Sequence, residues 1–305
     1  MMKLILVALF ASSTALAQTT LRETDDAGHT LQLPRPARRV ISLAPSVTEL
    51  LYEAGGGDRL VGTVEYSDYP PQALEVPRIG SNQKLDQERI AALRPDLILI
   101  WFHGNALREV VQLTALGIPG FFLEPRHIGD IPHALERIGR LLATDKIAQA
   151  AATRFAARYA DLRARYATRS PVRVFYQIAA DPLLTISDKH IIADAIRACG
   201  GRNVFGSEKA LVPQLSTESV VAANPDVILT ARMPPDKNAK SSIDTATRSP
   251  GEPSLKIWAR FSGIKAVKTG QLWLIPGDQI SRQGPRILDG VEAICGALDE
   301  ARKVK

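Results

Sequence analysis

Residues 144–169 have the periodicity of one long helix, and neither glycine nor proline interrupts them. The apolar and small residues of this segment recur at steps of three and four, which is the spacing of one helix face. They are Ile147, Ala151, Phe155, Tyr159, Leu162 and Tyr166. Thr144 is the predicted N-cap, and Asp145 adds a negative charge to the first turn. About 24 helical residues span about 36 Å, which is long enough to cross a domain boundary, although an ordinary surface helix has the same pattern.

The sequence before this helix resembles the sequence after it. Glu88 precedes the run Pro-Asp-Leu-Ile-Leu by seven residues, and Glu218 precedes Pro-Asp-Val-Ile-Leu by the same distance, 130 residues later. Upstream of each copy, Arg-Val-Ile at 39–41 corresponds to Arg-Val-Phe at 173–175. Because several matches occur in the same order, they predict two similar lobes connected by one helix.

Predicted strands and helices alternate in both halves, which favours an α/β fold with mainly parallel sheets. The predicted organisation is a signal peptide over 1–17, an N-terminal lobe over 38–143, a connecting helix over 144–169 and a C-terminal lobe over 170–302. Ligands of such sheets bind beyond the carboxyl ends of the strands, so we expect a ligand cleft between the lobes.

Three local predictions concern the segments between these elements. Residues 18–36 are polar and are predicted to form a loose leader with one strand at most. Ser46 and Glu49 have the spacing of a capping box at the start of a helix. Residues 233–253 are rich in Pro, Lys, Ser, Asp and Thr, which predicts a mobile loop.

The N-terminus and the charge balance indicate an exported protein that does not bind nucleic acid. Lys3, an apolar run over 4–10 and the small residues at 15–17 are typical of a cleaved secretory signal. The net charge is +6, or +5 without Lys3, and the basic residues form no block. Scattered basic residues without interleaved aromatic side chains make nucleic acid a poor candidate partner.

Cysteines and histidines limit the redox and metal chemistry of the chain. In an oxidising compartment, Cys199 and Cys295 are predicted to form a disulfide, and two buried thiols are the alternative. The histidines are dispersed along the chain, which argues against a site with several imidazole ligands. They are His29, His103, His127, His133 and His190. Only His103 follows a predicted strand, so it is a candidate ligand contact or a solvated loop residue.

Other candidate ligand contacts also lie just beyond predicted strands. Tyr66, Trp101 and Phe102 offer flat apolar surfaces that suit a large planar ligand, and ordinary packing under a loop is the alternative. Asp278 and Arg282 could anchor polar edges of a ligand or could pair with each other across a turn.

The sequence contains no G-x-S-x-G, no H-E-x-x-H and no P-loop motif, so it gives no indication of catalysis. The equivalent carboxylates Glu88 and Glu218 are predicted near the starts of short helices, where they would offset the helix dipole. Their repeated placement favours a second role, in which each lobe presents one carboxylate to arginines of a partner.

The chain resembles the periplasmic substrate-binding proteins of ABC importers, in the group whose two lobes are joined by a single helix. Within that group it is most similar to the cobalamin (vitamin B12) binders, over residues 38–301. The stretch Tyr-Ser-Asp-Tyr-Pro-Pro-Gln at 66–72 is specific to this subgroup, whereas Pro-Asp-Leu at 95–97 is shared with binders of haem and ferric siderophores. Other matching stretches are 39–45, 88–90, 104–106, 199–201 and 285–287.

The resemblance implies a non-catalytic monomeric carrier that has no cofactor and delivers a corrinoid to a membrane permease. It places Tyr66, Trp101 and the loop 278–282, which includes Ser281, on cobalamin-contacting positions. It also places Cys199 and Cys295 on the disulfide of the family, and Glu88 and Glu218 on the carboxylates that dock onto permease arginines.

The sequence departs from the cobalamin binders at several positions where those proteins have aromatic residues. These positions are Asn82, Ile178, Val212, Gln279 and Ile280. Loss of flat walls lowers the expected affinity for a corrin ring or changes the preferred ring. The alternatives are a haem carrier with Tyr66 or His103 as axial ligand, a ferric-siderophore carrier, and an exported hydrolase with Asp68 and Asp278 as acid and base.

Overall fold

Two separate parallel sheets, one before and one after a long helix, form the framework of the protein. The computed structural model describes residues 20–81, 83–105, 107–115, 117–232 and 245–304. The α/β architecture with mainly parallel sheets is confirmed. The predicted signal peptide, and residues 233–244 of the predicted mobile loop, lie outside the described residues.

The N-terminal half contains a four-stranded parallel sheet in the order β4-β3-β5-β6. Its strands, with the preceding hairpin, are β1 (Leu21–Thr24), β2 (Thr30–Leu33), β3 (Val40–Ser42), β4 (Leu60–Thr63), β5 (Leu97–Trp101) and β6 (Gly120–Leu123). Its helices are α1 (Pro45–Glu53), α2 (Gln87–Ala92), α3 (Leu107–Ala115) and α4 (Ile131–Leu142). The connecting helix is α5 (Asp145–Tyr166).

The leader predicted to be loose instead forms the antiparallel hairpin of β1 and β2. Its turn is tied to the first sheet, because Asp26 N–H donates to the Phe122 carbonyl at 3.0 Å. The Asp26 carboxylate in turn accepts from Glu124 N–H at 2.6 Å. These bonds connect residues almost one hundred positions apart, which explains why local composition did not predict the second strand.

The C-terminal half contains a five-stranded sheet in the order β10-β7-β11-β13-β12, in which only β12 is antiparallel to its neighbour. The strands of this half are β7 (Val172–Gln177), β8 (Ala179–Ala180), β9 (Leu183–Leu184), β10 (Gly201–Asn203), β11 (Val227–Arg232), β12 (Thr247–Arg248) and β13 (Leu272–Pro276). Of these, β8 and β9 form a separate antiparallel pair. The helices are α6 (Ile191–Ala198), α7 (Thr217–Ala223), α8 (Lys265–Lys268), α9 (Gly277–Ile280) and α10 (Ile287–Arg302).

The sequence repeat corresponds to one backbone arrangement that occurs in both halves. In each sheet the first of the four parallel strands lies between the second and the third, with the fourth beyond. Asp96 accepts from Arg39 N–H at 2.8 Å, and Asp226 accepts from Arg173 N–H at 2.9 Å. Each arginine side chain also donates to a carbonyl at the end of the helix that leads into the Pro-Asp pair, which is α2 in the first half and α7 in the second. The repeated Arg and Pro-Asp positions therefore fix the start of one strand against the start of its neighbour.

Helix α5 packs closely against α4 through small residues. A Cβ on Gly139 would lie 2.4 Å from the Ala148 Cβ, so the two helices approach closely at this point. The predicted apolar face is correct at Ala151, Phe155 and Leu162, which are buried, but Ile147 is mostly exposed. Thr144 is the N-cap residue of α5, as predicted, but its hydroxyl does not cap the helix. It donates instead to the Ala54 carbonyl at 2.7 Å and thus fixes the helix start to α1.

One apolar core continues from the first half through α5 into the second half. The same cluster of buried side chains contains Leu99, Phe155, Val174 and Leu298. A disulfide between Cys199 and Cys295 joins the end of α6 to α10, so the disulfide prediction is confirmed. In the described part of the chain, none of the helices has both the length and the apolar composition needed to cross a membrane.

Acidification is expected to destabilise the second half through His190. The His190 Nδ1 accepts from Ile192 N–H at 3.2 Å, and burial lowers the pKa of the imidazole. Because the unfolded chain then binds the proton more tightly, this contribution is complete above the ordinary pKa and is lost as the pH falls through the folded-state value. We expect the free energy of unfolding to fall between about pH 7 and pH 5, and to fall less in His190→Asn, which retains a cap.

Denaturant unfolding at a series of pH values measures this difference. All other groups titrate alike in the two proteins, so subtraction isolates His190. His133→Asn is the control, because His133 is exposed on α4. Parallel pH curves for the wild type and His190→Asn would contradict the prediction.

Candidate functional site

Exposed apolar side chains follow the carboxyl ends of strands in both halves. Tyr66 lies beyond β4 and is 45% exposed, while Ile178 follows β7 and is 41% exposed. Val212 is 37% exposed, and its segment runs beside β9, where Leu184 forms a bridge with Gln214. Ile178 is on the next backbone segment, because its N–H donates to the Leu184 carbonyl at 2.9 Å. Exposed groups of this kind mark the strand ends as a candidate ligand surface.

Trp101 is held in a fixed position at the end of β5. The backbone N–H of Trp101 donates to the Asn105 Oδ1 at 2.8 Å, and the Asn105 Nδ2 donates to the Leu43 carbonyl at 2.7 Å. The indole lies directly on Gly104, where an added Cβ would be 1.8 Å from the Trp101 Cε3. The half-buried ring therefore depends on a glycine beneath it and on an asparagine that ties β5 to β3.

Phe102 and His103 lie on the outer side of the same turn. The Phe102 ring packs edge-on against Phe122, with ring centroids 5.5 Å apart. The His103 ring lies 4.4 Å from the Phe102 ring, and its Nδ1 is 3.5 Å from the Glu124 Oε2. Ordinary packing explains the placement of Phe102, and the role of either residue as a ligand contact stays a prediction.

A buried network of five charged side chains connects the two halves, and sequence reasoning missed its centre, Glu49. The Arg282 Nη1 donates to the Glu49 Oε1 at 3.0 Å and to the Asp68 Oδ1 at 2.7 Å. Arg286 donates to both oxygens of Glu49, at 3.1 and 2.7 Å, and to the Asp278 Oδ2 at 3.2 Å. We call Glu49, Asp68, Asp278, Arg282 and Arg286 the inter-lobe ion network.

Two predictions are corrected by this network. Ser46 and Glu49 do not form a capping box, because Ala44 is the N-cap of α1 and Pro45 already begins the helix. Asp278 and Arg282 both pair, but with Arg286 and with carboxylates of the first half rather than with each other. The sequence signal for Glu49 was its position as a charged residue between the apolar residues Val47 and Leu50. The structure shows that the helix carrying it is buried on nearly all sides.

The side chains of the network have little contact with solvent, so each charge is stabilised mainly by the opposite charges within the network. The Glu49 side chain is 2% exposed, and burial raises the pKa of its carboxyl although Arg286 and Arg282 oppose the rise. Burial is the largest single influence on Arg286 and works to lower its pKa, but the hydrogen bonds and negative charges of Glu49 and Asp278 together raise the pKa. The ionised carboxylate is the form of Glu49 that satisfies both arginines.

The remaining residues of the loop 278–282 differ widely in exposure. Ile280 is completely buried, and a Cβ on Gly290 of α10 would touch it at 3.0 Å, so Ile280 belongs to the core and its prediction as a cleft wall is wrong. Gln279 lines a groove of about 640 Å³ beside α10, together with Trp273. Ser281 is exposed, and its role as a ligand contact stays a prediction.

One further predicted contact has no place in the site as described. Asn82 lies outside the described residues. Among the described residues, no group of three or more His, Cys, Asp or Glu side chains is arranged to hold a metal ion. A cavity of about 1010 Å³ lies between α5 and both halves, with Tyr69, Phe155 and Pro285 in its lining.

Glu88 and Glu218 occupy equivalent exposed positions in the first turns of α2 and α7. Asp86 caps α2 by accepting from Arg89 N–H, and Ser216 caps α7 by accepting from Ser219 N–H. Hydrogen bonds from its own backbone N–H and from Ser216 lower the pKa of Glu218. Each half thus presents a carboxylate on a fixed helix end.

Gly104→Ala is expected to displace the Trp101 ring, because the new methyl group would overlap the indole. Trp258 and Trp273 are buried elsewhere, so a change in tryptophan emission and in near-ultraviolet circular dichroism would report Trp101. The control is Gly129→Ala, since nothing lies within 4 Å of a Cβ at Gly129. Identical spectra for Gly104→Ala and the wild type would contradict the described position of the indole.

Comparison with known proteins agrees with this geometry. The sequence model of the family described as periplasmic binding protein matches residues 40–279. The vitamin B12-binding protein of Vibrio cholerae serotype O1 is 36% identical over 274 residues, which cover 90% of this chain and 93% of that protein.

Solved structures of similar proteins share the fold. The crystal structure of the periplasmic vitamin B12-binding protein of Vibrio cholerae has a TM-score of 0.75 at 36% identity, covering 88% of this chain and 99% of that chain. The periplasmic haem-binding protein of Roseiflexus sp. RS-1 has a TM-score of 0.72 at 21% identity, covering 87% and 99%, which shows the fold alone. The match over most of the sequence and the shared two-lobed fold establish that this chain belongs to the periplasmic binding protein family.

Proposed function

We propose that this protein is a monomeric periplasmic carrier, exported with residues 1–17 removed, that binds cobalamin or a related corrinoid and delivers it to the permease of an ABC importer. The observation that carries the proposal is the 36% identity to a vitamin B12-binding protein over nine-tenths of the chain. As a binding protein it needs no catalytic group.

The side chains that line the proposed cleft suit a large ring with apolar faces. The first half contributes Tyr66, which is exposed, and Trp101, whose indole is held on Gly104. The second half contributes the aliphatic side chains of Ile178 and Val212. Rigid aromatic surfaces bury much area at little cost in conformational entropy, so the first half is expected to supply most of the affinity.

The other candidate functions have weaker support. Haem-binding relatives share only the fold, and in this chain the His103 Nδ1 is directed to Glu124. A hydrolase that uses Asp68 and Asp278 as acid and base is disfavoured by family membership. Both carboxylates are also committed to arginines, at 2.7 and 3.2 Å.

Isothermal titration of the mature protein with cyanocobalamin, cobinamide and haem tests the proposal. We expect one-to-one binding of a corrinoid, and a loss of affinity of about tenfold in Tyr66→Ala or Trp101→Ala, because each removes a flat wall. Val221→Ala removes a comparably exposed apolar side chain from α7 and is the control. Binding of haem with no corrinoid binding would move the specificity to haem, and binding of none of the three would contradict the proposal.

The permease is proposed to contact Glu88 and Glu218 through arginines. Charge reversal in Glu88→Lys or Glu218→Lys is expected to weaken docking by at least about tenfold and to leave ligand affinity unchanged, since like charges repel across an interface. Uptake by reconstituted permease vesicles and pull-down on the same vesicles measure docking. Glu208→Lys, at another exposed glutamate, is the control. Normal uptake by the Glu88→Lys, Glu218→Lys double variant would contradict this docking mode.

A further inference from the structure

The loop that carries Tyr66 has a backbone conformation that needs support from outside the loop. Tyr66 has a φ of 62°, in the left-handed region that side chains other than glycine rarely adopt. The next residue, Ser67, is completely buried, and its hydroxyl accepts from Thr63 at 2.9 Å. The Tyr66 side chain therefore projects from a short turn whose backbone is strained. The first half itself holds this turn through Ser67.

Arg282 supplies the support on the other side, and it comes from the opposite half. Its Nη2 donates to the Tyr66 carbonyl at 3.1 Å, and its Nη1 donates to the Asp68 Oδ1 at 2.7 Å. One planar guanidinium thus binds a backbone carbonyl and a carboxylate on both sides of Ser67. Glu49 holds the same Nη1 at 3.0 Å. A fork with several donors in one plane suits this arrangement, whereas a lysine ammonium does not.

Arg286 holds the end of the same turn. Its guanidinium lies over the Tyr69 ring, 4.0 Å from the ring centroid, and it also donates to both Glu49 oxygens. Two arginines of the second half therefore contact the turn from Tyr66 to Tyr69. Its conformation depends on the spacing of the two lobes.

We propose that Arg282 is a positioning residue that holds the Tyr66 wall in its binding position. The side chain is 8% exposed, and three of the five guanidinium N–H groups donate to acceptors of the first half. Separation of the lobes would withdraw Arg282 from the Tyr66 carbonyl and release the wall. Lobe spacing and ligand affinity are then coupled through one side chain. This inference rests on the proposed function for the identity of the ligand, but not for the support of Tyr66.

The ligand-free protein allows a test that does not depend on the ligand. The chain has six tyrosines, so fluorine NMR after labelling with 3-fluorotyrosine gives few signals, and Tyr66→Phe identifies that of Tyr66. Arg282→Lys keeps the charge but loses the planar fork. We expect the Tyr66 signal to broaden or move toward its unfolded position, while the signals of Tyr159 and Tyr166 on α5 stay unchanged.

Two further variants complete this test. Asp68→Ala removes a partner of Arg282 from the first half and is expected to move the Tyr66 signal in the same direction, should Arg282→Lys fail to fold. Arg158→Lys is the matched control, because Arg158 joins α5 to Asp289 of α10 without touching the turn. An unmoved Tyr66 signal in the folded Arg282→Lys or Asp68→Ala variant would overturn the proposal.

A double-mutant cycle with cyanocobalamin shows whether Arg282 acts through Tyr66. We expect Arg282→Lys to weaken binding by about tenfold in the wild-type background and by much less in the Tyr66→Ala background. The same tenfold loss in both backgrounds would mean that Arg282 acts independently of Tyr66, and would overturn the proposal. If the wild type binds no corrinoid, the proposed function fails, and the fluorine signals still decide the role of Arg282.

Discussion

The inter-lobe ion network around Glu49 constrains the rest of the molecule. Its carboxylate is enclosed between α1 and two arginines of the second half, with almost no access to water. A buried charge that loses a partner costs about 3–5 kcal/mol, so the network is stable only with both halves in place. The relative position of the lobes is therefore set by charge pairing at one point as well as by apolar contact.

The connecting helix and the shared core act in the same direction. Helix α5 packs on α4 through Gly139 and Ala148, and its apolar face continues into the core of the second half. A stiff helix with a continuous core resists the bending that a flexible linker would allow. We expect small movements on ligand binding, so the shape of the cleft walls before binding largely determines which ring fits.

The sequence allowed prediction of the parts that depend on local pattern. Helix α5 and the parallel strands follow from periodicity, and the repeat around Asp96 and Asp226 reflects one hydrogen-bonded arrangement formed twice. Glu49 could not be predicted in this way, because its partner Arg282 is 233 residues away. The local Ser-x-x-Glu pattern favoured a cap, but the burial of α1 and the two arginines decided the outcome.

The two walls that we propose for the ligand cleft differ in the way their side chains are fixed. Tyr66 and Trp101 are held by defined contacts, the first from Arg282 and the second from Gly104 and Asn105. Ile178 and Val212 instead lie on two backbone segments of the second half that flank β9. At both positions the resemblance implies aromatic residues in the cobalamin binders, and we propose that the shorter side chains widen the cleft here. A bound ring would meet rigid aromatic surface on one face and shorter aliphatic side chains on the other.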